Sequence, residues 1–175
     1  HADRQAADTE ASAAVGNAIS AAFLDLPDIM TSLNDTLLSY SISKALGQGE
    51  QNTNDYYLIN QIPSADFDLR VTLTEMIEQT ESNLKETKAI YNTNFTAYKS
   101  TLRSADAKTM GALLDQTLET VKSASSILKQ ESNIFDYWVS YHSDRNHSIP
   151  TPVSQYQTDL GTLITLTNQL LSNLQ

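Results

Sequence analysis

Cysteine is absent from the chain. No disulfide framework can form, and zinc sites or thiol chemistry built on cysteine are excluded. Glycine and proline are scarce, at five and four residues, so the punctuation that breaks a chain into many short strands and turns is missing. No long apolar run occurs; "AISAAFL", residues 18–24, is about the longest and is far too short to span a bilayer. Nothing at the N-terminus reads as a signal peptide. Cations are few as well. Eleven Lys and Arg face 21 Asp and Glu, a net charge of −10, which disfavours nucleic acid and anionic membrane surfaces as partners.

Enzyme signatures are missing too. There is no Gly-x-Ser-x-Gly elbow, no phosphate loop and no dinucleotide fingerprint. Asp66 and Asp68 are a close acidic pair, but at a helix start they serve the helix dipole. The reading is therefore non-enzymatic, with no cofactor. His142, Asp144 and His147 have the side chains for a metal, but their spacing does not fall on one helix face, so a loop would have to organise them; no metal is expected. The sequons at Asn34, Asn94 and Asn146 are of a number that chance alone supplies in a chain this rich in Asn, Ser and Thr.

What is present is helical periodicity. With 40% apolar residues the chain can build a core, and 175 residues suit a single domain, 1–175. Val153, Tyr156, Leu160, Leu163, Thr167, Leu170 and Leu174 alternate spacings of three and four, the seam of a packed helix. Met110, Leu114, Thr117, Val121, Ala124, Leu128, Glu131, Phe135 and Trp138 do the same, flanked by Leu113, Leu118, Ile127, Ile134 and Tyr141. Glu131 on that seam either specifies register or sits at the edge of the stripe. A weaker seam runs through Leu73, Ile77, Thr80, Leu84, Thr87, Tyr91 and Tyr98. The first segment keeps one phase from Ile19 through Phe23, Leu26, Met30, Leu33, Leu37 and Tyr40 to Lys44, across Pro27. Proline removes a helix hydrogen bond and crowds the preceding turn, so a kink is expected there.

These seams predict an all-α fold: an antiparallel up-down-up-down four-helix bundle with helices over 3–46, 66–102, 105–142 and 152–174. Gly47 and Gly49 stop the first helix. Ser64 or Asp66 caps the second, and Ser104 or Asp106 the third. A short turn near 102–105 makes helices two and three neighbours, whereas 47–65 reads as a long loop carrying Tyr56, Tyr57, Leu58 and Ile59. The third helix would be roughly 57 Å long and the fourth roughly 35 Å. Both termini read as helices that continue, as in a piece lying between two transmembrane helices.

In this topology the loops 47–65 and 143–151 share one end. Tyr40, Lys44, Arg70, Trp138, Tyr141, Arg145 and Tyr156 gather there, placing three of the few cations among aromatic rings. That combination suits an anionic or zwitterionic small molecule. At the other end Ser12, Gly16 and Ser20 form a row of small residues, which would permit a weak homodimer through the first helix.

The order of long helix, long loop, two helices, Pro-containing loop and final helix resembles the periplasmic four-helix ligand-binding domain of bacterial transmembrane chemoreceptors and some sensor histidine kinases. Pro150-Thr151-x-x-x-Gln155 looks like the Pro-Thr-x-x-x-Gln run at the start of the fourth helix in aspartate and serine receptors. The resemblance implies that Thr151 contacts ligand. It also implies a periplasmic or extracellular portion of an inner-membrane protein, reaching the membrane only through flanking segments. Those receptors hold an amino-acid carboxylate with arginines on the first helix; this chain has Lys44 there, and its only first-helix Arg is Arg4, at the far end. The expected function is a non-enzymatic small-molecule sensor. The alternatives are a secreted helical carrier of a lipid or other hydrophobic ligand, and a structural or adhesive helical module.

Overall fold

The computed structural model describes residues 2–101 and 106–175, with side chains from Glu10 onward. Ser104 as a cap, the short turn at 102–105 and the side chain of Arg4 lie outside the described residues. Among the described residues six helices form: α1 (Ala2–Leu38), α2 (Ser41–Ala45), α3 (Asn54–Asn60), α4 (Phe67–Ser100), α5 (Ala107–Ser143) and α6 (Thr151–Leu174). No strand occurs among the described residues. The packing is that of a helix bundle. α5 lies against α1, α4 and α6, and α2 and α3 cover one end.

The seams are where the chain buries itself. On α1, Ile19, Phe23, Leu26, Met30, Leu33 and Leu37 are all buried. On α5, Val121, Ala124, Leu128, Phe135 and Trp138 are fully inside, with Ile127 and Ile134 beside them. Burial of apolar surface at about 25 cal/mol per Å² is what makes these long helices stable. Glu131 is at 0% exposure, not at the edge of the stripe. Both its carboxylate oxygens lack a hydrogen-bond partner, and burial pushes its pKa well above the ordinary carboxylate range. The Thr36 hydroxyl is its one offsetting neighbour and already donates to Ser32 O at 2.8 Å. A second polar group in the core is satisfied: Asn94 donates to Thr120 Oγ1 at 3.0 Å and accepts from Thr117 at 3.4 Å. This places the Asn94 sequon inside the protein.

Three expected elements are corrected. The first helix does not run to residue 46. It ends at Leu38, bends through Ser39 and Tyr40, and α2 is a separate turn. The physical reason is a buried amide. Asn54, 0% exposed, accepts from Ile42 N at 3.0 Å and donates toward Thr36 O at 3.0 Å. One side chain thereby serves an unpaired carbonyl at the end of α1 and an unpaired N–H at the start of α2. Second, 47–65 is not all loop: residues 54–60 form α3, whose Tyr57 and Leu58 are buried. Third, Asp66 stands at the N-terminus of α4 but makes no side-chain cap; its carboxylate reaches across to α5. Asp106 does cap α5, accepting from Thr109 N at 2.8 Å, and that bond lowers its pKa.

Candidate functional site at the loop end

Two backbone motifs of the same kind shape this end. After α2, Gly47 takes φ 75°, Gln48 N donates to Ser43 O at 2.8 Å and Gly47 N to Lys44 O at 3.0 Å. After α5, Asn146 takes φ 56°, His147 N donates to His142 O at 2.9 Å and Asn146 N to Ser143 O at 3.0 Å. Each is a left-handed residue flanked by a six-to-one and a five-to-two hydrogen bond, the Schellman closure of a helix. Both reverse the chain sharply and bring the loops 39–66 and 143–150 against each other.

The residues expected to form one site are held in distinct arrangements. In the first, Tyr156 of α6 meets α2 and α3. Its hydroxyl bonds to Ser41 Oγ and lies 3.0 Å from Asn54 Nδ2 and 3.3 Å from Ser39 Oγ. Beside this knot is an open groove of about 600 Å³ lined by Ser41, Ala45, Thr151, Pro152, Gln155, Tyr156 and Asp159. Lys44 adjoins Ala45 in the chain and pairs with Glu50 at 2.6 Å. That pair lowers the Glu50 pKa, by hydrogen bond first and charge second. Tyr40 is 38% exposed at the bend before α2.

The second arrangement lies across α5. Tyr141 Oη donates to Asp66 Oδ2 at 2.5 Å, and this bond raises the tyrosine pKa. Arg145 stacks its guanidinium 4.0 Å over the Tyr141 ring and reaches Asp66 at 3.4 Å. Trp138 is 1% exposed; its indole N–H donates to Leu58 O at 3.0 Å and its ring lies 3.9 Å from that of His142. Burial, then the neighbouring His147 and Arg145, hold the His142 pKa below its ordinary value. Arg70 is apart from both, donating to Asn60 Oδ1 at 3.2 Å.

The cations thus have partners: Lys44 a carboxylate, Arg145 a carboxylate and a ring, Arg70 an amide. The side chains that open on solvent together are those of the α2–α6 groove. Sequence reading missed Asn54, Ser41 and the Asp66 contacts. Asn54 lies in the polar stretch "QNTNDYY", where nothing marks one amide as the buried one. Among the described residues no group of three or more His, Cys, Asp or Glu side chains converges on a point that would hold a metal ion.

A different cavity lies toward the other end of α1. It is partly open, about 290 Å³, and lined by Ser12, Gly16, Ile19, Tyr98, Met110 and Leu113, among others. Gly16 faces into the chain; a Cβ built there would stand 3.4 Å from Met110 Cε. The outer side of α1 carries Leu24, 79% exposed.

Comparison with family models, with curated proteins and with solved structures finds no match. No described helix is long and apolar enough to cross a membrane.

Proposed function

We propose that this chain is the extracytoplasmic, non-enzymatic sensing domain of a transmembrane signalling receptor, of the chemotaxis or two-component type. In this reading α1, α4, α5 and α6 form an antiparallel up-down-up-down bundle with α1 kinked near Pro27, and α2 and α3 close the end away from the membrane. The observation that carries it is the α2–α6 groove. It is lined by Thr151 and Gln155, the two positions of the Pro-Thr-x-x-x-Gln run that resembles the receptor motif. The groove offers hydroxyl, amide and carboxylate groups, and Lys44 precedes its lining residue Ala45 in the chain. A zwitterionic ligand would place its amino group toward Asp159 and its carboxylate toward Lys44, displacing Glu50. Ligand wedged between α2 and α6 would shift α6 against α1, a small helix displacement that a receptor can transmit. The domain would pair weakly with a second copy through α1; the row Ser12, Gly16 and Ser20 expected as that seam lines the cavity beside Tyr98 and Met110 instead, and Leu24 is the exposed apolar residue of the helix.

A thermal-shift screen of amino acids and small carboxylates tests this. A ligand at 100 times its dissociation constant stabilises by about 2.7 kcal/mol, a readily measured shift. The cavity at Gly16 and Met110 favours a second reading, a carrier of a hydrophobic ligand. Its volume is at the small end for a ligand pocket, and fatty acids in the same screen distinguish the two.

A further inference from the structure

The Nδ1 atoms of His142 and His147 face each other at 3.2 Å. We propose that this imidazole pair is a binding site for a late first-row divalent cation, of the Cu²⁺, Ni²⁺ or Zn²⁺ class.

The pairing is imposed by the backbone. His142 and His147 occupy the two ends of the six-to-one hydrogen bond that closes α5, with Asn146 left-handed between them. That closure commonly brings together the side chains at these two positions, usually as an apolar contact. Here the contact is two imidazoles whose Nδ1 atoms meet within hydrogen-bond distance, so the metal-free pair is joined by one N–H···N bond. His142 is 6% exposed and held against the core, whereas His147 is exposed, so the pair has one fixed and one solvent-facing ring.

The geometry fits chelation. A cation about 2.1 Å from each nitrogen, with the nitrogens 3.2 Å apart, subtends an angle of about 100°. That angle lies between the tetrahedral and the right-angled arrangements of imidazole-bound metals. The last carbonyls of α5 favour positive charge at this end, while Arg145 nearby, itself paired with Asp66, opposes it. No third protein ligand joins the pair among the described residues, so the remaining coordination positions are taken by water or by a small anion. Oxygen-seeking Mg²⁺ and Ca²⁺ are excluded by the two nitrogen donors. With His147 as donor of the Nδ1···Nδ1 bond, its proton moves on binding from its own Nδ1 to its own exposed Nε2, while His142 keeps its proton on Nε2, so no change of net protonation is required.

The protein carries its own reporter. Trp138 is the only tryptophan, and its ring lies 3.9 Å from that of His142. A paramagnetic ion held by the pair will quench it. The experiment is a titration of the full chain with NiCl₂ in a non-coordinating buffer at about pH 7.5, where free imidazole is largely unprotonated. His1→Ala is included because His1 is the third histidine of the sequence. We expect saturable quenching in the wild type and unchanged quenching in His1→Ala. In His147→Ala, an exposed position, the midpoint should be weaker by about tenfold or more, with an unaltered melting curve without metal. His147→Gln, which keeps a polar side chain on the loop, should behave as His147→Ala. Absence of quenching at millimolar Ni²⁺ would overturn the proposal, as would equal quenching in both His147 variants and the wild type.

Discussion

The indole N–H of Trp138 donates to the carbonyl of Leu58 at 3.0 Å, joining two residues 80 positions apart. The bond is buried and fixes α3 on α5. A helix of seven residues is unstable on its own, so α3 keeps its place through tertiary contacts such as this one and the Asn54 hydrogen bonds. Trp138→Phe removes the donor and leaves the Leu58 carbonyl unpaired. A loss of about 1–3 kcal/mol is expected in urea unfolding, with proteolysis becoming faster within residues 47–65. Wild-type stability and protease resistance would show that α3 is held by other contacts.

Asn54→Ala should be costly for its size. It strands Ile42 N–H and Thr36 C=O in the interior, and it loosens Tyr156. The expected loss is about 1–3 kcal/mol. Asn54→Asp should not rescue it, because a carboxylate accepts from Ile42 N but has no proton for the Thr36 carbonyl. Thermal melts of the two variants check this; full rescue by Asp would contradict the assigned hydrogen bonds.

Glu131 predicts a pH dependence. Its folded pKa is raised, so the folded state binds more protons than the unfolded state at pH values between the two. Stability is therefore highest below the unfolded pKa near 4.3 and falls as pH rises through this window, by up to about 1.4 kcal/mol per pH unit. Glu131→Gln has no such group. Relative to the wild type it should gain stability as pH rises from about 5 toward the raised folded pKa, as read by the midpoint of urea unfolding. A difference that is flat across this range would mean that Glu131 is solvated in solution.

Arg145→Ala should change the melting temperature little. Its pair with Asp66 is partly exposed, and such pairs contribute less than about 1 kcal/mol. Trp138→Ala should lower it steeply, by about 3–5 kcal/mol of stability, because the ring is core. Comparable melts for the two variants would show that the α5 terminus is not packed as described.

The long helices were legible because each is stabilised by a stripe of apolar residues repeated over many turns. Ile19 to Leu37, Val121 to Trp138 and Val153 to Leu174 announce their burial by spacing alone. The break at Ser39 was not legible: Tyr40 and Lys44 continue the phase of α1, and what ends the helix is an amide 14 residues beyond Tyr40, at Asn54. Helix α3 escaped for a related reason, since a seven-residue segment contains too few turns to show a period. At the candidate site the sequence placed the loops 47–65 and 143–151 at one end of the molecule, and Asp66 does meet Tyr141 and Arg145 there. It did not foresee that Arg145 and Tyr141 turn toward Asp66 while Tyr156 turns toward Asn54. Nor did it foresee that a left-handed Asn146 would bring His147 back to His142. Those outcomes depend on side-chain directions across chain separations that periodicity does not encode.

The central claim is that the groove between α2 and α6 binds a small zwitterionic or anionic molecule. Titration calorimetry tests it most directly, using the strongest stabiliser from the metabolite screen against the wild type and a Thr151→Ala, Gln155→Ala double variant. Both residues are exposed, so the variant should melt as the wild type does. The account predicts saturable one-to-one binding by the wild type and binding weakened by about tenfold or more in the variant, with two hydrogen-bonding groups removed. Equal affinity for both proteins, or stabilisation by fatty acids alone, would contradict it.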